Sequence, residues 1–241
     1  MIQKMKLNGF QIKLLMACLM VLDHIAYFIP ENWVMIFHVI TRVVGVWFAY
    51  GAVEGFMYTS NLKKYSMRLF SWAAFMFAGN SLLNILFKDH GITVHNNIFL
   101  TLAIGVLMLA AITKIKNRIL GFICSAVLIV IGILIAEGGM VILPFMLITY
   151  LTYGKNKYRN TGYLCLSLVL FLMSFVNYGD LLMTIKMLAY NSDFMFISVI
   201  PILYMYDGKR GSHSRFAKYF FYVFYPAHLW IITTIAYIVS K

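Results

Sequence analysis

Long apolar runs, each closed by a short polar or basic cluster, recur along the whole chain. A helix that crosses a bilayer needs about 20 predominantly apolar residues, within a range of about 17–25. By that measure the pattern predicts spans at 11–29, 36–58, 66–87, 97–114, 118–136, 139–154, 161–178 and 217–239, with a broken segment at 180–206. The broken segment reads as one crossing near 188–206, preceded by an interfacial or re-entrant helix near 180–190. Asn191-Ser192-Asp193 marks its polar break. Two crossings there would place the basic loop 207–218 on the outside, against the positive-inside rule. The predicted fold is all-α: a polytopic integral membrane protein of about 9–10 transmembrane helices, in one domain covering 1–241.

Composition agrees, with 62% hydrophobic and 12% charged residues and a mean hydropathy of +0.84. A net charge of +12 would suit a nucleic-acid binder, but the Lys and Arg lie in short loops between spans. That placement is topological and argues against nucleic acid as a partner. Lys4, Lys6 and Lys13 precede the first span and put the N-terminus in the cytoplasm. Lys63, Lys64 and Arg68, then Lys114, Lys116 and Arg118, then Lys155, Lys157 and Arg159, and finally Lys209, Arg210, Arg215 and Lys218 fall on that same side. Anionic lipid headgroups account for much of this charge. Cys18, Cys124 and Cys165 sit in apolar runs without metal-type spacing and read as packing residues. The long first run lacks a cleavage site of small residues, so no cleaved signal peptide is expected. No metal site is indicated by the scattered histidines.

The polar residues inside the spans change the picture most. Ionisable groups in hydrocarbon are costly and mark protein interiors or functional pathways. Leu22-Asp23-His24 lies in the first span, with His24 about 16 Å from Lys13 by helical rise. Arg42 lies about 9 Å below the outer end of the second span, with His38 one turn before it on the same face. His228 falls near the middle of the last span, just after a kink expected at Tyr225-Pro226 that could open a pocket. These groups share a depth, and their convergence is the working expectation. Asp23 and His24 are about 100° apart on a helix, so Asp23 is expected to orient a group on another helix, such as Arg42. An interior ion pair would equally account for Asp23, and a hydrogen-bonded interior imidazole for His24. Imidazole titrates near neutrality and can act as a general base, which favours a catalytic His24.

Other candidates carry two readings each. Glu54 can pair with Lys63, Lys64 or Arg68, or face substrate. Asn97 can cap the span that follows it, or meet a substrate from outside. Lys63, Lys64, Arg68, Lys209 and Arg210 flank the spans with the polar centre and are candidates to grip donor phosphates.

Several motifs, taken in order, carry a resemblance. They are Leu22-Asp23-His24-Ile25, Val53-Glu54-Gly55-Phe56, Asn61-Leu62-Lys63-Lys64-Tyr65 with Arg68, Asn97-Ile98-Phe99-Leu100-Thr101-Leu102 with Gly105, Gly208-Lys209-Arg210-Gly211, and Phe221-Tyr222-Val223-Phe224-Tyr225-Pro226-Ala227-His228-Leu229. Together they resemble the TraX family, whose namesake acetylates the N-terminus of conjugative pilin, within the broader transmembrane acyltransferases. Where the family commonly reads Gly-Arg-Leu-Ala-Phe-Pro, this chain reads Thr41-Arg42-Val43-Val44-Gly45-Val46, keeping the arginine alone. The pilin substrate is not carried over.

The resemblance implies a multi-pass enzyme of the bacterial cell membrane that takes acetyl-CoA from the cytoplasm and acetylates a peptide, glycan or lipid-linked acceptor. His24 would be the base, and Asp23 or His228 would assist. Arg42, His38, Glu54, Asn97 and Tyr225 would meet the acceptor, while the basic residues named above would bind coenzyme A. A secondary transporter using Asp23, His24, Arg42, Glu54 and His228 as a proton path is the rival class, although no inverted repeat is apparent. A non-catalytic assembly protein is a third.

Overall fold

The computed structural model describes residues 6–212 and 214–240; Lys4 lies outside them. The regular structure of the described residues is helical, apart from one isolated parallel bridge between Leu7 and Tyr206. The helices are α1 (Gly9–His24), α2 (Glu31–Thr41), α3 (Val43–Tyr58), α4 (Leu62–Leu86), α5 (Ile98–Lys114), α6 (Arg118–Ile135), α7 (Gly139–Leu151), α8 (Asn156–Ser174), α9 (Leu181–Tyr190), α10 (Val199–Met205) and α11 (Arg215–Val239). Each predicted span finds a helical segment. Five are long and apolar enough to cross a membrane unaided: Gly9–Phe28, Glu31–Tyr58, Leu62–Leu86, Arg118–Ile135 and Arg215–Val239. Leu181–Tyr190 and Asp193–Met205 form a pair bent by 58°, with its break at the predicted Asn191-Ser192-Asp193. α5 and α7 are shorter apolar helices. The protein is an all-α, polytopic membrane protein.

The chain packs as two compact units, one of residues 1–44 and 167–241, the other of residues 45–166. In the second unit α5 is the hub, packed against α4, α6 and α7 with 11 of its 17 residues buried. Small residues let backbones approach there, as membrane helix packing requires. A Cβ at Gly139 would run into the Gly132 carbonyl, and one at Gly105 into Met146. α6, by contrast, exposes Ile119, Phe122, Ile123, Val130, Leu134 and Ile135, the outward apolar face of a lipid-embedded helix.

In the first unit, α1 packs on α2 and α11, and α2 packs on α9. The start of α1 is fixed twice. Asn8 and Gln11 form a reciprocal capping box, with both bonds at 3.0 Å; such a cap contributes about 1 kcal/mol. The amides of Gly9 and Phe10 then donate to the carbonyls of Lys209 and Arg210 at 2.8 and 3.1 Å. Gly211 turns that loop with φ of +84°, where a Cβ would collide with the Asn8 side chain. Cys18 and Cys165 are exposed and Cys124 half-buried, so the first two face outward, contrary to the expected packing role.

Candidate functional site

The polar residues of the first unit meet at the C-terminal ends of α1 and α2. The α-helix is interrupted at Arg42, between α2 and α3. The physical cause is local: the His38 carbonyl accepts from the Arg42 Nε–H at 3.0 Å, and the Thr41 hydroxyl lies 3.1 Å from it. Side chains competing for a backbone acceptor loosen a helix at that turn.

Arg42 is the hub of the cluster. Its Nη1 donates to Asp193 Oδ1 at 3.1 Å, and its Nη2 lies 3.3 Å from Asp23 Oδ1 and 2.9 Å from His38 Nδ1. A guanidinium has no acceptor, so His38 Nδ1 must present its lone pair, and the neutral ring carries its proton on Nε2. Thr41 donates to Asp23 Oδ1 at 2.5 Å, and His38 Nδ1 stands 3.4 Å from that same oxygen. Tyr190, the last residue of α9, stacks on His38 with ring centroids 5.8 Å apart. One guanidinium thus joins α1, α2 and the break after α9. The Arg42 and Asp23 side chains are 20% and 24% exposed, so much of this charge is withdrawn from solvent, where a broken pair is costly.

His24 turns the other way, as the helical geometry requires. Its ring meets His228 of α11, with centroids 5.4 Å apart and planes 51° apart. His228 is only 6% exposed, stacked on Phe224 at 5.0 Å and edge-on to Tyr225 at 5.7 Å. Its Nδ1 lies 2.9 Å from the Phe224 carbonyl. A carbonyl only accepts, so Nδ1 carries the proton and Nε2 of the neutral ring holds the lone pair. Among the described residues, Nε2 is buried with no hydrogen-bond partner. Such a group is rare in native structures and calls for an explanation. Ser192 Oγ is buried in the same condition, next to Asp193.

The sequence-predicted residues therefore divide. Asp23, His24, His38, Arg42 and His228 come together, with Tyr225 against the His228 ring. Asp193 and Thr41 complete the cluster and were not among the predicted site residues. Asp193 is separated from Arg42 by 151 positions and signalled itself only as a polar break in an apolar run. In the second unit, Glu54 accepts from the Tyr153 hydroxyl at 3.5 Å. Asn97 caps α5 through Leu100 and donates to the Ala73 carbonyl at 2.9 Å. Lys63 and Lys64 are exposed on the first turn of α4, and Arg68 lies over the Tyr65 ring at 5.4 Å. Lys209 and Arg210 are exposed on the loop pinned to α1.

Residues 8–236 match the family model for TraX protein. The chain belongs to the TraX family. The match spans both units, and with them every residue of the cluster. No curated protein and no solved structure matches the chain.

Proposed function

We propose that this TraX-family chain is an acetyltransferase of the bacterial cell membrane, with its N-terminus in the cytoplasm. It moves an acetyl group from acetyl-CoA to an amine or hydroxyl of a peptide, glycan or lipid-linked acceptor. The observation that carries this reading is the His24–His228 pair, two imidazoles in ring contact, one with a buried and unused lone pair.

In acyl transfer the acceptor nitrogen or oxygen bonds to the acyl carbon, loses its proton to a base, and the thiolate departs. In this reading His24 takes that proton, and the unused lone pair on Nε2 of His228 shares it. Coenzyme A is the donor substrate and supplies the activated thioester. The exposed cations Lys63, Lys64, Lys209 and Arg210, with the half-buried Arg68, are suited to its phosphates. Arg42 is not free to anchor a substrate, because Asp23, Asp193 and His38 already engage it. Its part is positioning: it holds the end of α2 against the end of α1, and so fixes the turn that presents His24.

General base catalysis contributes about 10²–10⁴-fold. The His24→Ala protein is expected to lose acetyl transfer from labelled acetyl-CoA by at least about 10²-fold while inserting and melting as the parent does. Full activity in that variant would end the assignment.

The 58° bend, with Asp193 at the break bonded to Arg42, favours a second reading. Discontinuous helices with ionisable groups at the break line the substrate paths of secondary transporters. Solute-driven proton movement in reconstituted vesicles, without acetyl-CoA hydrolysis or transfer, would support it over the first.

A further inference from the structure

The second unit contains a buried cation that the acetyl-transfer reading does not use. Arg159 lies in the first turn of α8 and is 8% exposed, although Lys155, Asn156, Lys157 and Tyr158 around it are all exposed. Its Nε and Nη2 donate to the side-chain oxygen of Asn160 at 3.3 and 3.2 Å. It also hydrogen-bonds the Tyr50 hydroxyl of α3, and its charge reaches Tyr163. Tyr163 is itself fully buried, stacked on Phe145 at 4.5 Å, with its hydroxyl 2.7 Å from Thr149 Oγ1. The acceptors around this guanidinium are therefore neutral oxygens.

Among the described residues, no carboxylate lies at ion-pair distance from Arg159. Glu54, whose charge also reaches Tyr50, accepts from Tyr153, whose hydroxyl is 3.1 Å from that of Tyr58. A buried guanidinium without a counter-ion is costly. A planar fork of N–H donors whose partners are one amide oxygen and one phenol fits the tetrahedral oxygens of a phosphate better than it fits a packing role. The basic loops assign this end of α8 to the cytoplasm, so the anion would arrive from that side.

We propose that Arg159, with Tyr50 and Asn160, forms a binding site for a phosphate group at the cytoplasmic end of this unit. The phosphate can belong to a soluble diphosphate such as coenzyme A or to an anionic lipid headgroup. The coenzyme A arm deepens the acetyl-transfer reading and rests on it. Binding is measured without turnover, so that each can fail alone.

The test uses the full chain in neutral detergent and in phosphatidylcholine nanodiscs with or without phosphatidic acid. Probes are coenzyme A and inorganic pyrophosphate, read by calorimetry and thermal shift on the parent, Arg159→Gln, Arg159→Lys, Tyr50→Phe and the exposed-charge control Lys114→Gln. The site predicts saturable binding of at least one probe, weakened at least about tenfold in Arg159→Gln, less in Arg159→Lys and Tyr50→Phe, and unchanged in Lys114→Gln. Binding of both soluble probes places a soluble donor there, and stabilisation by phosphatidic acid alone places a lipid headgroup there. Should Arg159→Gln fail to fold, Arg159→Lys and Tyr50→Phe carry the test. Equal affinity for every probe in the parent and the Arg159 variants, or binding by none, would overturn the proposal. A His24→Ala protein that binds coenzyme A but transfers nothing separates this site from the chemistry.

Discussion

Two arginines withdrawn from solvent, Arg42 half-buried and Arg159 buried, are treated in opposite ways. Arg42 is held by two carboxylates, an imidazole and a backbone carbonyl, from three separate stretches of chain. Arg159 is held by an amide oxygen and a phenol, with no described carboxylate at ion-pair distance. The first arrangement is closed: its charge is balanced by the fold and it serves to position what surrounds it. The second carries a positive charge that no described carboxylate balances at ion-pair distance. Within one membrane protein, the balance of charge around a buried guanidinium thus separates a structural hub from a candidate ligand site.

The largest effect that sharpens this contrast is on stability. Removing one partner of a buried pair leaves the other charges uncompensated and costs about 3–5 kcal/mol. Arg42→Met is expected to lose about 3 kcal/mol, at the low end because the pair is partly exposed. Arg159→Met, in the absence of any phosphate ligand, is expected to be neutral or stabilising. Thermal unfolding in detergent measures both, and a large loss from Arg159→Met would erase the contrast. Next in size, Thr41→Val removes a hydrogen bond to the Asp23 carboxylate and is expected to cost about 1.5–3 kcal/mol. Coenzyme A at 100 times its dissociation constant should raise the stability of the parent by about 2.7 kcal/mol and that of Arg159→Met, with affinity weakened at least about tenfold, by no more than about 1.4 kcal/mol. The smallest effect belongs to Asp193→Asn. Its side chain is 46% exposed, so its ion pair is worth no more than about 1 kcal/mol.

Much of this was legible in the chain. The apolar runs predicted the helical segments, and the polar break at Asn191-Ser192-Asp193 falls where the helix pair bends. Depth could be counted in helical rise, which brought Asp23, His24, Arg42 and His228 to one level. The 100° step between Asp23 and His24 correctly set them toward different helices. Direction around the other helices was not legible, because a single sequence carries no azimuth. The Arg42–Asp193 bond therefore came only with the fold. Arg159 was hidden for another reason: in a run of Lys155, Lys157 and Arg159 it reads as one more cytoplasmic charge, and only burial sets it apart. Arg42 was read either as a charge partner inside the protein or as a substrate anchor, and its bonds to Asp23, Asp193 and His38 match the first. The interruption of α2 follows from the same residue, since its side chain takes the His38 carbonyl that lies one turn behind it.

The central claim is that the paired imidazoles of α1 and α11 take the acceptor's proton during acetyl transfer. The most direct measurement is the rate of acetyl-CoA-dependent labelling of cell-envelope material by membranes holding the parent, His24→Ala or His228→Asn chain at equal, folded levels. The account predicts a loss of at least about 10²-fold for His24→Ala and a smaller but clear loss for His228→Asn. Labelling at the parent rate in both variants would contradict it.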